Sequence, residues 1–323
     1  MNEFYNVKLT INKQLSSQRL DKVLVTSLNS YSRTQIKNLI LNGNVLKDNI
    51  EIKDPSYITK EYENYDINIF FVQKKDHKPE DINLNIVYED ESLIVINKPP
   101  NLVMHPAPGN ESGTLVNALM YYTKNKLSNL DDNSRPGIVH RLDKDTSGIV
   151  VIAKNNTAHI NLAEQFKDHS ISRRYKAIVW GSPDSQMIEG YIERNKKNRK
   201  KMSLNNKGYG RYSKTIIKLE KSYGIASIVD CELHTGRTHQ IRLHLTSKNC
   251  PIVGDKIYGR SKINQFGKDK KNINKFMILK NFERQALHAY HLGFEHPISK
   301  KRMNFDVELP EDFRNLIDLI VKY

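Results

Sequence analysis

The sequence predicts an α+β protein of two domains, in which a small module of helices and a hairpin precedes a larger domain rich in strands. The chain has 323 residues, and a domain has roughly 150 residues on the usual size prior. Apolar residues recur at helical spacing near the start of the chain. From about residue 86 onward, β-branched runs bounded by turn residues alternate with shorter helical segments. We expect domains at 1–75 and 82–323, joined by a polar, proline-containing linker at 76–81.

The chain carries an excess of positive charge, which predicts a polyanionic partner. Lys and Arg number 51 against 36 Asp and Glu, so the net charge is +15. Nucleic acid is the first candidate and an anionic membrane surface is the second. A solubility feature, or a compositional bias toward Lys, Asn and Ile, would explain the same excess. The hydrophobic fraction of 38% fits a globular protein with a core.

The cysteines and the N-terminus predict a cytoplasmic protein. Cys231 and Cys250 are too few and too far apart for a zinc knuckle or a redox pair, which favours a reducing compartment. The first residues lack the apolar core of a secretory signal. No window approaches the roughly 20 apolar residues of a membrane span, so we expect no membrane partner.

The N-terminal module contains two predicted helices and a hairpin. An apolar stripe at residues 20–28 predicts the first helix, and the capping box Ser32-Arg33-Thr34-Gln35 opens the second. Segments 45–52 and 67–72 are predicted strands. The turn Lys47-Asp48-Asn49 has no glycine, but Asn tolerates a left-handed turn conformation.

This module resembles the S4 RNA-binding domain. The resemblance rests on Arg19-Leu20-Asp21, Ser32-Arg33 and Asn42-Gly43-Asn44-Val45, although S4 domains usually have a glycine turn after the first strand. It implies RNA binding by the cations on the outer helix faces, which are Arg19, Arg33 and Lys37. A generic helical cap on the next domain is the alternative.

Regular elements are predicted along the rest of the chain. Strands are expected at 86–88, 93–96, 149–153, 173–181, 213–219, 225–233, 285–294 and 302–307. Helices are expected at 114–122, from Asn156 or Thr157 to about 169, from a Thr238 cap to 248, and at 311–321.

Two basic segments interrupt this pattern. Residues 193–214 hold nine cations and two interleaved tyrosines, with glycines that favour a partly flexible loop. Such a composition suits a phosphate backbone and base stacking, and a solvated surface loop is the alternative. The predicted RNA contacts here are Lys197, Arg199 and Lys200. A second basic segment covers 256–280.

The stretch Gly137–Lys154 is the strongest candidate for a functional site. The apolar run Ile149–Ala153 predicts a buried strand, and a cluster of carboxylates, hydroxyls, an Arg and a His directly precedes it. So many polar groups at the mouth of a core strand lower stability unless each has a partner. The cluster is therefore either a hydrogen-bonded turn or a site.

Three chemistries compete for these residues. A metal site is disfavoured, because His234, His239 and His244 recur every five residues and not at the i, i+4 spacing of a helical ligand pair. A glycosidase pair of Asp143 and Asp145 is disfavoured. The two carboxyls of such a pair lie about 5 Å or more apart on opposite sides of a sugar, and residues two positions apart in a turn rarely do this. A single aspartate nucleophile with an arginine partner remains, and Arg242 is a candidate partner.

Several motifs together resemble the RluA family of pseudouridine synthases. They occur in family order from about residue 86 to about residue 310. The matching motifs are Asn97-Lys98-Pro99 with His105-Pro106, His140-Arg141-Leu142-Asp143-Lys144-Asp145-Thr146-Ser147-Gly148, Arg174-Tyr175-Lys176-Ala177, Thr235-Gly236-Arg237-Thr238-His239-Gln240-Ile241-Arg242, and Ile252-Val253-Gly254-Asp255 with Tyr258-Gly259. Asn101 departs from the usual glycine, which affects the local turn and not the chemistry. The resemblance implies a large mixed, mainly antiparallel central sheet flanked by helices.

The resemblance also implies roles for individual residues. Asp143 would be the nucleophile, Tyr175 would lie against the target base and act as general base, and Arg242 would pair with Asp143. Arg141 would insert into the RNA, and Ile241 would pack under the base. Further substrate contacts are expected from His140, Arg237, His239 and Lys98. The family uses no metal and no organic cofactor.

The implied reaction is the isomerisation of specific uridines to pseudouridine in large-subunit ribosomal RNA after base flipping. The expected partner is that RNA, free or in a ribosomal subunit, and we expect the enzyme to act as a monomer. A different ribosomal site or tRNA is an alternative target. A non-catalytic ribosome-assembly factor and a hydrolytic N-glycosidase are alternative functions.

Overall fold

A computed structural model of the chain describes residues 4–28, 31, 33–70, 78–107, 109–128, 135–199, 201–259 and 270–322. The chain divides into two compact units, Met1–Lys75 and Asp76–Tyr323. Residues 78–81 pack on the second unit: the Glu80 N–H donates to the carbonyl of Asn117 at 3.0 Å, and the Asn117 side chain donates to the carbonyl of Lys78 at 2.8 Å. The sequence predicts a linker over residues 76–81, and within it this polar segment finds hydrogen-bond partners on a helix.

The first unit combines two helices with a four-stranded antiparallel sheet. The strands follow the order β1-β4-β2-β3, and apolar residues of both helices and of the sheet form one core. Asp48 and Asn49 have φ values of 49° and 66°, so these two residues form the left-handed turn that the sequence predicts between β2 and β3. The elements are β1 (Phe4–Thr10), α1 (Leu20–Ser27), α2 (Arg33–Leu41), β2 (Val45–Lys47), β3 (Ile50–Glu51) and β4 (Asn64–Phe70).

The second unit contains a ten-stranded mixed sheet flanked by helices, as predicted. Nine strands follow the order β10-β9-β11-β12-β8-β13-β7-β6-β5, and β14 pairs with β13. Among the described strand pairs, β7 and β13 are parallel and the others are antiparallel. The strands are β5 (Ile86–Glu89), β6 (Leu93–Lys98), β7 (Ser147–Ala153), β8 (Ser172–Trp180), β9 (Gln186–Arg194), β10 (Met202–Asn205), β11 (Arg211–Ser222), β12 (Ala226–Leu233), β13 (Leu287–Glu295) and β14 (Arg302–Asp306).

Strand β7 lies in the interior of the sheet with both faces covered. Its seven residues are all buried, which confirms the prediction of a buried strand. Val150 and Ile152 pack into one core cluster, whereas Ile149, Val151 and Ala153 pack into another on the opposite face. The helices of this unit are α3 (Leu115–Tyr122), α4 (Asn156–Lys167), α5 (Gln240–Ser247), α6 (Lys270–Lys280) and α7 (Glu311–Lys322).

The structure corrects two sequence predictions in this unit and contains a helix that was not predicted. The basic segment 193–214 is largely a hairpin and not a flexible loop, because β10 pairs with β9. Helix α5 begins at Gln240, and its N-cap is His239 in a left-handed conformation without a side-chain cap bond, so Thr238 is not the cap. Helix α6 was not predicted within the second basic segment. In the ranges that the structure covers, no helix is long and apolar enough to cross a membrane.

Candidate active site

The loop before β7 presents Asp143 at the end of the strand. The Thr146 N–H donates to the Asp143 carbonyl at 3.1 Å and closes a turn that contains Asp145. Gly148, with φ of 118°, follows this turn, and a Cβ there would lie 2.1 Å from the carbonyl oxygen of Ala289 on β13. The glycine therefore allows β7 to approach β13 closely while the loop turns away from the sheet.

Helix α5 places Arg242 against the Asp143 carboxylate. Arg242 Nη1 donates to Asp143 Oδ2 at 2.8 Å, although the residues are 99 positions apart. Its Nε and Nη2 donate to the two oxygens of Asp255 at 2.7 and 2.9 Å. The Asp255 side chain is 1% exposed and that of Asp143 is 19% exposed. Asp255 thus anchors the guanidinium in the interior, and the third donor holds the more accessible carboxylate.

Charge and burial act in opposite directions on the pKa values of Arg242 and Asp255. Burial alone would lower the pKa of Arg242, but the hydrogen bonds and charges of Asp255 and Asp143 raise it above its ordinary value. Burial alone would raise the pKa of Asp255, but Arg242 and the N–H groups of Tyr258 and Ile257 lower it. Both groups are therefore charged at neutral pH.

His239 also lies near the Asp143 carboxylate. Its Nε2 is 3.8 Å from Asp143 Oδ2, and its Nδ1 is 2.8 Å from the Tyr258 hydroxyl. That hydroxyl also accepts from the Met202 N–H at 2.8 Å. Burial lowers the pKa of His239. The ring is therefore neutral at neutral pH, with its Nε2 near Asp143.

A cavity of about 440 Å³ opens beside Asp143. Tyr175 and Ile241, which are 6% and 4% exposed, belong to its lining. Burial, with a further contribution from the charge of Asp143, raises the pKa of Tyr175 to about 12. Tyr175 is therefore a neutral phenol at neutral pH. The volume is within the range of small-molecule sites.

His140 and Arg173 complete one wall of the cavity. His140 Nε2 accepts from the Val151 N–H at 3.0 Å, and its ring stacks on Phe166 with centroids 4.5 Å apart. Burial, together with the charge of Arg173, lowers the pKa of His140 to about 3, so the ring is neutral. We expected His140 to bind substrate, and the structure gives one ring nitrogen a backbone partner. Sequence reasoning missed Arg173, although its position two residues before Tyr175 on one strand places both on one face.

Lys98 does not reach the cavity surface, which corrects its expected role in substrate binding. The side chain is fully buried, and its Nζ donates to the carbonyls of Pro99, Leu102 and Lys144 at 2.8, 2.9 and 3.0 Å. Burial lowers the pKa of Lys98 to about 7, although the charges of Asp145 and Asp143 act in the opposite direction. Three carbonyl acceptors match the three N–H bonds of an ammonium group. Lys98 therefore ties the loop of Asp143 to the end of β6.

Arg141 and Arg237 are accessible at the cavity. Arg141 is exposed directly beside Asp143, as its expected insertion into RNA requires. Arg237 is partly buried, and its Nε donates to the carbonyl of Tyr212 at 2.9 Å. Burial and the nearby charge of Arg211 lower the pKa of Arg237. These two cations add positive charge to the lining of the cavity.

The predicted RNA contacts outside the cavity differ in whether their charge is paired within the protein. Arg19 and Arg33 each donate to the buried Asp21 carboxylate at 3.0 Å, so one carboxylate partly neutralises both. Lys37 is exposed on α2. Lys197 and Arg199 are exposed between β9 and β10, and Lys200 lies outside the described residues.

The three histidines spaced by five residues do not meet. His244 is buried between Ser213 and Thr215 at 3.0 and 2.9 Å, whereas His239 faces Asp143 and Tyr258. Within the part of the chain that the structure covers, no group of three His, Cys, Asp or Glu side chains is placed to hold a metal ion.

Comparisons with known proteins agree with this architecture. Residues 92–247 match the family model described as RNA pseudouridylate synthase, and residues 18–61 match the S4 domain. The ribosomal large subunit pseudouridine synthase D of Zymomonas mobilis is 42% identical over 97% of both chains. The protein of the same name from Buchnera aphidicola is 41% identical over 95% of both chains. An uncharacterised RNA pseudouridine synthase of Bacillus subtilis is 36% identical over 98% of both.

Solved structures show the same fold at lower identity. Human RNA Pseudouridylate Synthase Domain Containing 4 superposes with a TM-score of 0.54 at 22% identity, over 73% of this chain and 93% of its own. Human RNA Pseudouridylate Synthase Domain Containing 1 gives 0.52 at 23% identity, over 72% and 85%. The family model and the relatives establish the identity: the chain belongs to the RNA pseudouridylate synthase family and is an isomerase with an N-terminal S4 domain.

Proposed function

We propose that this isomerase converts uridine to pseudouridine in large-subunit ribosomal RNA, with Asp143 as the nucleophile. The observation that carries the proposal is the contact of Asp143 with Arg242 beside the 440 Å³ cavity. The printed names of the Zymomonas and Buchnera relatives support the ribosomal target.

The geometry suits a reaction on a flipped base. The N1–C1′ bond breaks, the base turns, C5 bonds to C1′, and the C5 proton is exchanged for one on N1. Asp143 either attacks C1′ or removes a sugar proton to give a glycal, and both routes need a carboxylate held in one orientation. Arg242 provides that orientation, because Asp255 fixes its other two donors. The reaction has no net redox change and consumes no water, so its balance requires no cofactor.

Other residues complete the proposed machinery. Tyr175 and Ile241 line the cavity where the base would lie, and Tyr175 as phenolate would remove the C5 proton. Flipping a base costs a few kcal/mol, and the planar cation of exposed Arg141 can replace part of the lost stacking. Lys37, Lys197 and Arg199 would bind phosphates without reading sequence.

The direct test is an Asp143→Ala variant assayed on large-subunit ribosomal RNA. Pseudouridine formation should fall about 10³-fold or more, because no other described carboxylate contacts Arg242 Nη1. RNA affinity should stay within about twofold, since most of the binding free energy comes from phosphate contacts. Asp318→Asn, on the exposed side of α7, is the control and should keep full activity.

Three outcomes would contradict the proposal. Full activity of Asp143→Ala would remove this residue from the nucleophile role. Release of free uracil instead of pseudouridine would indicate a hydrolase. Mapping pseudouridines in cellular RNA with and without the protein tests the target, and a loss confined to tRNA would exclude the ribosomal assignment.

A further inference from the structure

Arg173 is a buried cation in the wall of the active-site cavity. It is 6% exposed and lies on β8, two residues before Tyr175. Alternate residues of a strand face the same side, and both side chains line the cavity beside Asp143.

The guanidinium is poorly satisfied by the protein itself. Its Nη2 donates to the carbonyl of His234 at 3.4 Å, near the limit of a hydrogen bond, and its Nε has no partner. Among the residues that the structure describes, no carboxylate forms an ion pair with it. Burial lowers the pKa of Arg173, and Arg237 lowers it further. A buried charge without a counter-ion lowers protein stability, so its retention points to a ligand that compensates it.

Neighbouring residues form a cradle for this charge. The face of Phe166 lies 5.4 Å from the Arg173 Cζ. A Cβ on Gly236 would lie 2.7 Å from Nη1, so the glycine leaves space for the guanidinium. The position of the cation is therefore built into β8, α4 and the loop before α5.

The other cations at the cavity are already used or are exposed. Arg242 directs Nη1 at Asp143 and its remaining donors at Asp255. Arg237 uses its Nε on a backbone carbonyl, and Arg141 is exposed. His140 is neutral, with Nε2 occupied. Arg173 is the buried cation here with donors to spare.

We propose that Arg173 donates N–H bonds to a carbonyl oxygen of the flipped uracil and stabilises the uracil anion that forms when the N1–C1′ bond breaks. The inference rests on the proposed function. If Asp143 attacks C1′, a C1′–O bond forms while the N1–C1′ electron pair passes to uracil and spreads onto O2 and O4. If Asp143 removes the C2′ proton, a C1′=C2′ bond forms and the same electron pair passes to uracil. Both routes place negative charge on the base, and a preorganised donor in a dry cavity is most effective against charge that develops in the reaction.

The test compares Arg173→Met and Arg173→Lys with Arg174→Met as matched control. Arg174 is the next residue on β8, faces the other side of the sheet, and lies 4.0 Å from Glu232 with 41% of its side chain exposed. Single-turnover pseudouridine formation by Arg173→Met should fall about 10²-fold, while the Kd for RNA changes less than twofold. Arg173→Lys should recover part of the single-turnover rate, and the control Arg174→Met should retain the wild-type rate.

Two further measurements exclude a merely structural role. Removing an uncompensated buried charge should raise the thermal unfolding midpoint of Arg173→Met, whereas loss of a structural contact would lower it. 5-Fluorouridine at the target has no C5 proton to lose, so the readout with this RNA is the single-turnover disappearance of the N1–C1′-linked nucleoside. The defect of Arg173→Met in this readout should be at least fivefold smaller than with uridine, because fluorine stabilises the uracil anion without help from the protein.

Each contrary result overturns the inference. A weakened Kd with an unchanged single-turnover rate would assign Arg173 to an RNA phosphate. A lowered unfolding midpoint, or an equal defect with uridine and 5-fluorouridine, would assign it a structural role. Failure of the proposed function itself would appear separately, as pseudouridine formation that does not depend on Asp143.

Discussion

Arg242 connects two carboxylates that differ in exposure, and this difference suits a nucleophile. Asp255 is sealed in the interior and accepts two hydrogen bonds, which offsets the cost of burying the arginine. Asp143 accepts one bond and keeps an exposed edge toward the cavity. The neutral His239 ring lies nearby, with its Nε2 3.8 Å from Asp143 Oδ2. Asp143 is therefore held by Arg242 without being enclosed.

The raised pKa of Tyr175 predicts how the reaction depends on pH. At a pKa of about 12, only about one molecule in 10⁵ carries the phenolate at pH 7. If Tyr175 removes the C5 proton as phenolate, the rate of that step should rise about tenfold per unit between pH 7 and pH 9. Single-turnover rates measured with C5-deuterated target uridine check this. A flat profile for the wild-type protein, or the same slope in Tyr175→Phe, would remove the general-base role.

The buried side chain of Lys98 stabilises the protein, so its replacement should lower the free energy of unfolding. Lys98→Met leaves the carbonyls of Pro99, Leu102 and Lys144 buried without their donor. We expect the free energy of unfolding to fall by about 3 kcal/mol or more. Urea unfolding followed by the fluorescence of Trp180, the one tryptophan of the chain, reports on this unit. Lys300→Met, at an exposed turn, is the control, and equal stability of the two variants would contradict the assigned role.

At the scale of elements, the three proposed catalytic side chains lie on different parts of the sheet and on a helix packed against it. Asp143 precedes β7, Arg242 lies in the first turn of α5, and Tyr175 lies within β8. A buried network fixes α5 to the sheet: Gln240 Nε2 donates to Thr215 Oγ1 at 2.9 Å, and His244 contacts Thr215 and Ser213. Because this helix is joined to the sheet by buried hydrogen bonds, the packing of the sheet sets the distances among the proposed catalytic groups.

In the S4 unit, Asp21 pairs with Arg19 and Arg33 at the starts of two helices. We therefore expect the stability of this unit to depend on acid pH. The hydrogen bond from Arg19, assisted by Arg33, lowers the pKa of Asp21 to about 2. A carboxyl whose pKa is lower in the folded state stabilises that state above its unfolded pKa near 4. This contribution should be lost as the pH falls from about 4 to about 2. Amide hydrogen exchange of α1 and α2 in the full chain should show this loss.

The Asp21→Asn variant should lose the acid-dependent change in the amide hydrogen exchange of α1 and α2. It should also show faster amide exchange of these helices at pH 6. Asp66→Asn is the matched control, because Asp66 lies 3.9 Å from the exposed Lys8 and is 32% exposed. An acid-dependent change of the same size in Asp21→Asn would exclude Asp21 as its source.

At the scale of the whole molecule, the charge of +15 predicts RNA affinity that falls steeply with salt. Each phosphate contact contributes about 0.7 to 0.9 to the slope of log affinity against log salt. Lys197→Gln and Arg199→Gln, between β9 and β10, should each reduce the slope by about that amount. Lys124→Gln, on the turn after α3, should leave it unchanged. Equal slopes for all variants would exclude the hairpin from RNA binding.

The elements differed in how far they could be predicted. The buried strand β7 and the amphipathic helix α7 carry strong local patterns, and both were predicted close to their observed bounds. Strand β9 and helix α6 were missed, because polar residues and lysines obscure their periodicity. The start of α5 was misplaced, since its N-cap is a left-handed histidine with no side-chain cap bond.

The sequence by itself determined the polar cluster before a buried strand, the excess of cations and the motifs that identify the family. These depend on residue types and on neighbours within a few positions. Only the tertiary structure decided that Asp255 anchors Arg242, that Lys98 is buried against the loop of Asp143, and that Arg173 faces the cavity without a counter-ion among the described residues. Such partners come from strands and helices far apart in the chain. Their contact depends on sheet order and register, which local patterns do not encode.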